Sequence, residues 1–349
     1  MDIDFNEINY LSDPDLLTLK ADFNQFLLSL TGPTVIDISG KDPSRTRVIT
    51  TLLHGNEPSG LIALHRWLTE DSKCPTPETN IRIIIASIEA ASAHPLFSNR
   101  YITGGLDLNR CFGSTQNTSY YQRANLITHA INEVSPEAVV DLHNTSGYGP
   151  AFAVSPIITT DGLSLASYFC QTMILSSFRL GALMEQNFNC PTITIECGGS
   201  NDEQSHEVAF EGIKRISSHL DITSSHQQKT VEVIYRPLRL KTKPDVNLDY
   251  AAHDEGYAGV TLKSTIEQFN YGSAIQGQML GWLDERGLDN LELLDDKKNN
   301  VLNDYFDTRD NQLICAVNIR IFMATTNKKI AQNDCLFYVV KSPTGEPYS

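Results

Sequence analysis

Four near-continuous apolar runs, at residues 47–53, 81–86, 138–142 and 192–195, constrain the fold of this chain more than any other feature. Each has the length of a strand. A strand without polar alternation must be covered on both faces, as in parallel sheets held between layers of helices. Between residues 34 and about 218 such runs alternate with longer helical stretches, so this part reads as an α/β domain. One helix is expected over about 58–70, with Pro58 in the tolerated first turn, and another over about 120–134. Past Ser224-Ser225-His226-Gln227-Gln228 the character changes to short strand-like runs broken by Gly, Pro and Asn, beginning at 230–235 and continuing through 259–262, 273–282 and 313–324. The expected division is an α/β domain over 1–228 and a smaller, mostly-β domain over 229–349.

With 42 acidic against 27 basic residues the formal net charge is -15, which argues against nucleic acid or an anionic membrane as the main partner. The same field repels a small anion unless arginines reverse it locally, so individual pocket arginines matter. Seven cysteines with no CxxC pair fit neither a disulfide framework nor a thiolate metal site. The acidic N-terminal stretch lacks a signal peptide's basic and apolar segments, and no apolar run reaches about 18 residues. A soluble, cytoplasmic, reduced protein is the expectation.

Three of the four runs carry a chemically capable side chain at or just beyond their end. Ligands of open α/β sheets bind outside the carboxyl ends of the strands, so these positions are expected to converge on one crevice. The first run leads into His54-Gly55-Asn56-Glu57-Pro58. An isolated HxxE is a weak signal, because a strand-end histidine bonded to backbone, followed by a first-turn carboxylate favoured by the helix dipole, looks the same. A second imidazole, His143, ends another run two residues after Asp141, a carboxylate able to orient it, and this moves the balance to a metal. Two His and one Glu are the ligand set of an open catalytic zinc site, in which water becomes acidic enough to ionise near neutral pH. Glu196, before Cys197-Gly198-Gly199, is either an acid ahead of a helix starting near residue 203 or a general base that takes and returns a proton. The loop Asn99-Arg100-Tyr101 to Asp107-Leu108-Asn109-Arg110 offers guanidinium groups for a carboxylate or a developing oxyanion, although surface arginines paired with Asp107 would read alike.

Together and in this order, His54-Gly55-Asn56-Glu57, Asp107-Leu108-Asn109-Arg110, Asp141-Leu142-His143-Asn144-Thr145 and Ile195-Glu196-Cys197-Gly198 resemble the succinylglutamate desuccinylase and aspartoacylase family, a branch of the zinc carboxypeptidase superfamily. The resemblance spans roughly residues 34–215. It implies a zinc-carboxypeptidase-like mixed sheet flanked by helices, with a smaller C-terminal β-rich domain capping the active site. The implied activity is zinc-dependent hydrolysis of the amide bond of a small anionic N-acyl amino acid, with one zinc ion per chain. The implied zinc ligands are His54, Glu57 and His143, with Glu196 as general acid/base and Arg100 as the carbonyl-polarising group. Asn109 and Arg110 would hold the substrate's α-carboxylate, Asn144 joins them as a substrate contact, and Asp107 is expected to support the loop. No arginine lies between Arg179 and Glu196, where aspartoacylases carry one for a second carboxylate, which counts against N-acetylaspartate as substrate. The family's lid-domain tyrosine has four candidates here: Tyr250, Tyr257, Tyr271 and Tyr305. His206 and His253 are expected to be structural or at the surface. A homodimer is implied by analogy alone. The rival readings are a metallocarboxypeptidase acting on peptides and an idle zinc-binding protein, and the same ligand set also suits cobalt or manganese.

Overall fold

In the computed structural model, described over residues 5–70, 76–145, 147–176, 179–223, 230–333 and 335–342, the apolar runs become central strands of one large sheet. The chain divides into two compact units, Met1–Thr145 with Ala151–Val233 and Ser146–Pro150 with Ile234–Ser349.

The chain opens with β1 (Asn9–Ser12), α1 (Leu16–Leu19), α2 (Phe23–Ser29), β2 (Thr34–Ile38), β3 (Asp42–Thr51), α3 (Ser59–Thr69), β4 (Thr79–Ile85) and α4 (Ile88–Ala91). There follow α5 (Ser119–Asn132), β5 (Ala138–Thr145), β6 (Phe152–Ser155), α6 (Thr160–Ser167), β7 (Thr172–Leu175), β8 (Thr192–Gly199), α7 (Glu203–Ser218) and β9 (Glu232–Tyr235). The nine strands run in the order β1-β2-β4-β3-β5-β8-β6-β7-β9. The sheet is mixed: β4, β3, β5 and β8 are parallel, while β2 and β6 join them antiparallel.

Adjacent residues of each apolar run go to opposite faces. Val48, Ile84 and Val139 meet Ala124, Ile127 and Ile131 of α5 on one side. Ile49, Ile83 and Val140 face the cluster that holds Leu61, Leu64 and Trp67 of α3 and Phe210 and Ile213 of α7. Each such enclosed aliphatic side chain contributes about 1.5–3 kcal/mol relative to exposure, which is why a two-sided strand tolerates no polar alternation. Helix α3 approaches closely because of Gly60, where a Cβ would stand 2.2 Å from Thr51 Oγ1 and 3.0 Å from Leu142 Cβ. That glycine seats the helix on the two strands that lead to the candidate site.

Two strands run further than their apolar runs. β5 and β8 continue to Thr145 and Gly199, which draws His143 and Glu196 into the ladder instead of leaving Glu196 beyond its end. Pairing is the reason: His143 stands in register with Glu196, and Thr145 with Gly199. Between them Cys197 and Gly198 of β8 face Asn144 alone, a bulge made affordable in conformation by Gly198 at φ 114°. At the other extreme, the run at 230–235 supplies β9, the edge of this sheet, with the Glu232 amide donating to Gln171 O at 2.8 Å.

Arg123 of α5 is fully enclosed, with Nη1 at 3.0 Å from both carboxylate oxygens of Glu89 in α4 and Cζ 4.2 Å from the ring centre of Phe5. Removing one partner of such a pair strands a buried charge, so Glu89→Ala should lower the unfolding free energy by about 3–5 kcal/mol. The double variant Glu89→Leu with Arg123→Met should recover most of that loss in urea titration; a double variant as unstable as the single would show that packing, and not the stranded charge, sets the cost.

The second unit holds strands β10 (Leu238–Thr242), β11 (Leu248–Ala251), β12 (Val260–Lys263), β13 (Ser273–Ala274), β14 (Met279–Leu283), β15 (Leu291–Leu293), β16 (Phe306–Arg309), β17 (Gln312–Cys315), β18 (Ile319–Phe322) and β19 (Phe337–Lys341). They form two five-stranded sheets, β13-β18-β19-β10-β15 and β11-β12-β14-β17-β16. Their shared core includes Leu240, Leu262, Leu280, Phe306, Leu313, Ile321 and Phe337. Within this unit Asn270 Nδ2 donates to Tyr148 O at 3.2 Å and to Ala324 O at 2.8 Å. No helix of the described residues is long and apolar enough to cross a membrane.

Candidate metal and catalytic site

Strands β3, β5 and β8 are parallel neighbours, so their carboxyl ends open in one direction. The chain leaves β3 through Leu52, in the left-handed region at φ 54°, and turns so that His54 and Glu57 face each other before α3 begins. His54 Nδ1 lies 2.9 Å from Glu57 Oε1, and His143 Nδ1 lies 2.7 Å from Glu57 Oε2. All three side chains are buried, and their ligand atoms fall within 4.8 Å of one another.

Both imidazoles are held from behind. His54 Nε2 is 2.9 Å from Asp107 Oδ1 and His143 Nε2 is 2.7 Å from Asp141 Oδ2. Asp141 is itself gripped by the hydroxyl of Thr50, its register partner on β3. Asp141 and His143 share one face of β5 because side chains repeat every second residue along a strand. The carboxylate behind each ring accepts from Nε2 and so turns Nδ1 toward Glu57 as the nitrogen available to a metal, the usual outer support of metal-binding histidines. Glu57, Asp107, Asp141 and Glu196 gather around two imidazoles and the Arg100 guanidinium, so the hollow carries an excess of buried negative charge. Two nitrogens and a carboxylate, buried together among negative charge, suit zinc.

The electrostatics follow the same geometry. Burial works to raise the Glu57 carboxyl, but His54 and His143 outweigh it and hold the group well below the usual carboxylate range. Burial works to lower His143, but Asp141 and Glu57 hold it well above the usual imidazole range. Glu196 is different: burial pushes it up to about 7, with His143 opposing and the Glu57 charge adding to the rise. Its Oε2 is shielded from solvent and has no hydrogen-bond partner among the described residues. A carboxyl that ionises near neutrality and has a free lone pair is suited to take and return a proton.

Arg100 joins this cluster, with Nε and Nη2 at 3.1 and 3.0 Å from Asp107 Oδ2 and Nη1 at 3.3 Å from Glu57 Oε1. Asp107 therefore does more than support its loop: it holds Arg100 with one oxygen and His54 with the other. Asn109 is buried, its Oδ1 accepting from the Leu183 amide at 2.9 Å. Arg110 is exposed, bonds only its neighbour's carbonyl at 2.7 Å, and makes no ion pair among the described residues. Asn144, expected as a substrate contact, has its carboxamide occupied within the protein: Oδ1 accepts from the Ser59 amide at 3.0 Å, and Nδ2 donates to Ser59 Oγ at 2.7 Å and Gly198 O at 2.8 Å. With both amide hydrogens taken, it braces strand against helix. His206, expected to be structural or at the surface, bonds Ser59 Oγ at 2.8 Å, while His253 is exposed. Tyr257 is exposed, and Tyr250, Tyr271 and Tyr305 are partly buried within the second unit.

The family model described as the succinylglutamate desuccinylase/aspartoacylase catalytic domain matches residues 43–220. No curated protein gives a match. Among solved structures, a succinylglutamate desuccinylase/aspartoacylase from Rhodobacter sphaeroides superposes with a TM-score of 0.53 at 14% identity, covering 88% of this chain and 89% of that one. A succinylglutamate desuccinylase from Vibrio parahaemolyticus gives 0.54 at 14% identity over 86% and 96% of the two chains. The product-bound ectoine utilization protein EutE (DoeB) from Ruegeria pomeroyi gives 0.50 at 17% identity over 72% and 76%. At these identities the likeness is one of fold.

Proposed function

The chain belongs to the succinylglutamate desuccinylase/aspartoacylase family of hydrolytic deacylases, and on that premise we propose that it is a zinc-dependent amidohydrolase cleaving a small N-acyl amino acid to a carboxylate and a free amine. The observation that carries this reading is the buried His54-Glu57-His143 cluster with a carboxylate behind each imidazole and Glu196 in register with His143.

His54, Glu57 and His143 would hold the ion. When bound, it supplies a Lewis acid and acidifies water at the site. Glu196 takes a proton from the water that adds to the amide carbonyl carbon and returns it to the nitrogen as the C–N bond breaks. Arg100, fixed by Asp107, donates to the oxygen on which negative charge develops. Arg110, unpaired among the described residues, and the Nδ2 of Asn109 offer donors to a substrate carboxylate. In a chain of net charge -15, such a cation offsets part of the repulsion that an anionic substrate meets.

Amine release from a panel of N-acetyl and N-succinyl amino acids, with zinc-loaded protein and a chelated control, tests the reading. Metal-dependent release from one or a few members is the expected result. No release from any member by protein shown to contain zinc would overturn it.

A further inference from the structure

We propose that His206 is a positioning residue for the metal centre: through Ser59 it fixes the Asn144 carboxamide, which ties the strand end carrying His143 to the helix start that follows Glu57. The inference rests on the metal reading above.

Helix α3 begins without a side-chain cap of its own, because Pro58 stands at the cap position. The first-turn amide of Ser59 is instead satisfied from β5, by Asn144 Oδ1 at 3.0 Å. Ser59 is fully buried, and its hydroxyl accepts from Asn144 Nδ2 at 2.7 Å. Among the described residues the hydroxyl's remaining side-chain partner is His206 Nδ1 at 2.8 Å on α7, and the hydroxyl hydrogen is assigned to that nitrogen. The relay is polar in one sense throughout: Nδ1 accepts, the hydroxyl donates, and the carboxamide is locked with its oxygen toward the helix amide and its nitrogen toward the hydroxyl and Gly198 O. Burial holds the His206 imidazole below its usual range against the pull of Asp202 and Glu203, which favours the neutral ring, the form in which Nδ1 can accept.

What the relay positions is Glu57. The Asn144 amide donates to Glu57 Oε2 at 3.2 Å, so a shift of this residue moves both the carboxylate ligand and the adjacent His143. His206 is not needed to hold the two helices together. Arg66 pairs with Glu207 at 2.6 Å and lies over the Phe210 ring at 3.7 Å, and Lys214 reaches Glu70 at 3.1 Å.

Two variants separate positioning from packing. His206→Leu removes the acceptor and keeps bulk; His206→Asn keeps an acceptor where Nδ1 was. Zinc affinity by chelator competition should weaken about 10–100-fold in the leucine variant, as for loss of an outer support of a ligand, and stay within a few-fold of wild type in the asparagine variant. The leucine variant should also lose kcat with KM within about twofold, since the substrate contacts stay in place. Equal shifts in both variants, or none in either, with thermal midpoints alike, would overturn the proposal. A wild-type chain that binds no zinc would instead overturn the site reading on which it rests.

Discussion

Glu196→Gln should lower kcat by about 10²–10⁴-fold while the chain still binds one metal ion, the range over which a positioned proton carrier contributes. The amide is isosteric and cannot take a proton, so the lost function is proton transfer alone. The scaffold around it should survive, because β8 is held by backbone pairing to β5 and β6, and among the described residues no hydrogen bond to Glu196 Oε2 is lost. Metal content by elemental analysis and kcat on whichever substrate the panel identifies are the two readings. A variant within tenfold of wild type would move the proton route to another group. A variant without metal would place Glu196 among the ligands instead.

The second large effect is expected at Glu57. Its carboxylate meets His54 Nδ1 with one oxygen and His143 Nδ1 with the other, and also receives the Asn144 amide and the Arg100 guanidinium. Glu57→Ala removes one of three ligands; structural zinc sites with four ligands bind with roughly 10–16 kcal/mol, and by that scale roughly 3–5 kcal/mol, or 10²–10³-fold and more in zinc affinity, should be lost. Activity at micromolar zinc should fall below detection. The wild-type chain should behave in the same way after exhaustive chelation and recover when zinc is returned. Folding should be retained, because Asp107 and Asp141 still hold both rings and the ladder of β3, β5 and β8 does not involve Glu57. An alanine variant that retains zinc with wild-type affinity would remove Glu57 from the ligand set.

Part of this site is local, and local features can be read along the chain. Asp141 and His143 are two residues apart on a strand, so a shared face follows from the strand repeat alone. His54 and Glu57 bracket a turn between a buried run and a helix, and three residues of chain leave their side chains few places to point. Helix α3 at Ser59–Thr69 and helix α5 at Ser119–Asn132 fall close to the stretches at about 58–70 and 120–134 expected as helices between the buried runs. Other relations have no local trace. Asp107 reaches His54 across 53 residues of chain, and His206 reaches Ser59 across 147. Asn144 looks like a free polar group beside a metal ligand until its three protein partners are known.

The amino-acid sequence by itself determined which runs must be buried on both faces, where the chain turns, and which side chains sit at the ends of the buried runs. These are consequences of hydrophobic burial and of backbone geometry over a few residues, and no distant part of the chain alters them. Only the tertiary structure decided the strand order that makes β3, β5 and β8 neighbours, the register that sets His143 against Glu196, and the bulge at Gly198. It also turned Asp107 toward both Arg100 and His54, and Asn144 inward as a brace. Pairing partners and hydrogen-bond partners are chosen when the whole core closes, among many arrangements of similar local energy, and sequence spacing carries no record of that choice.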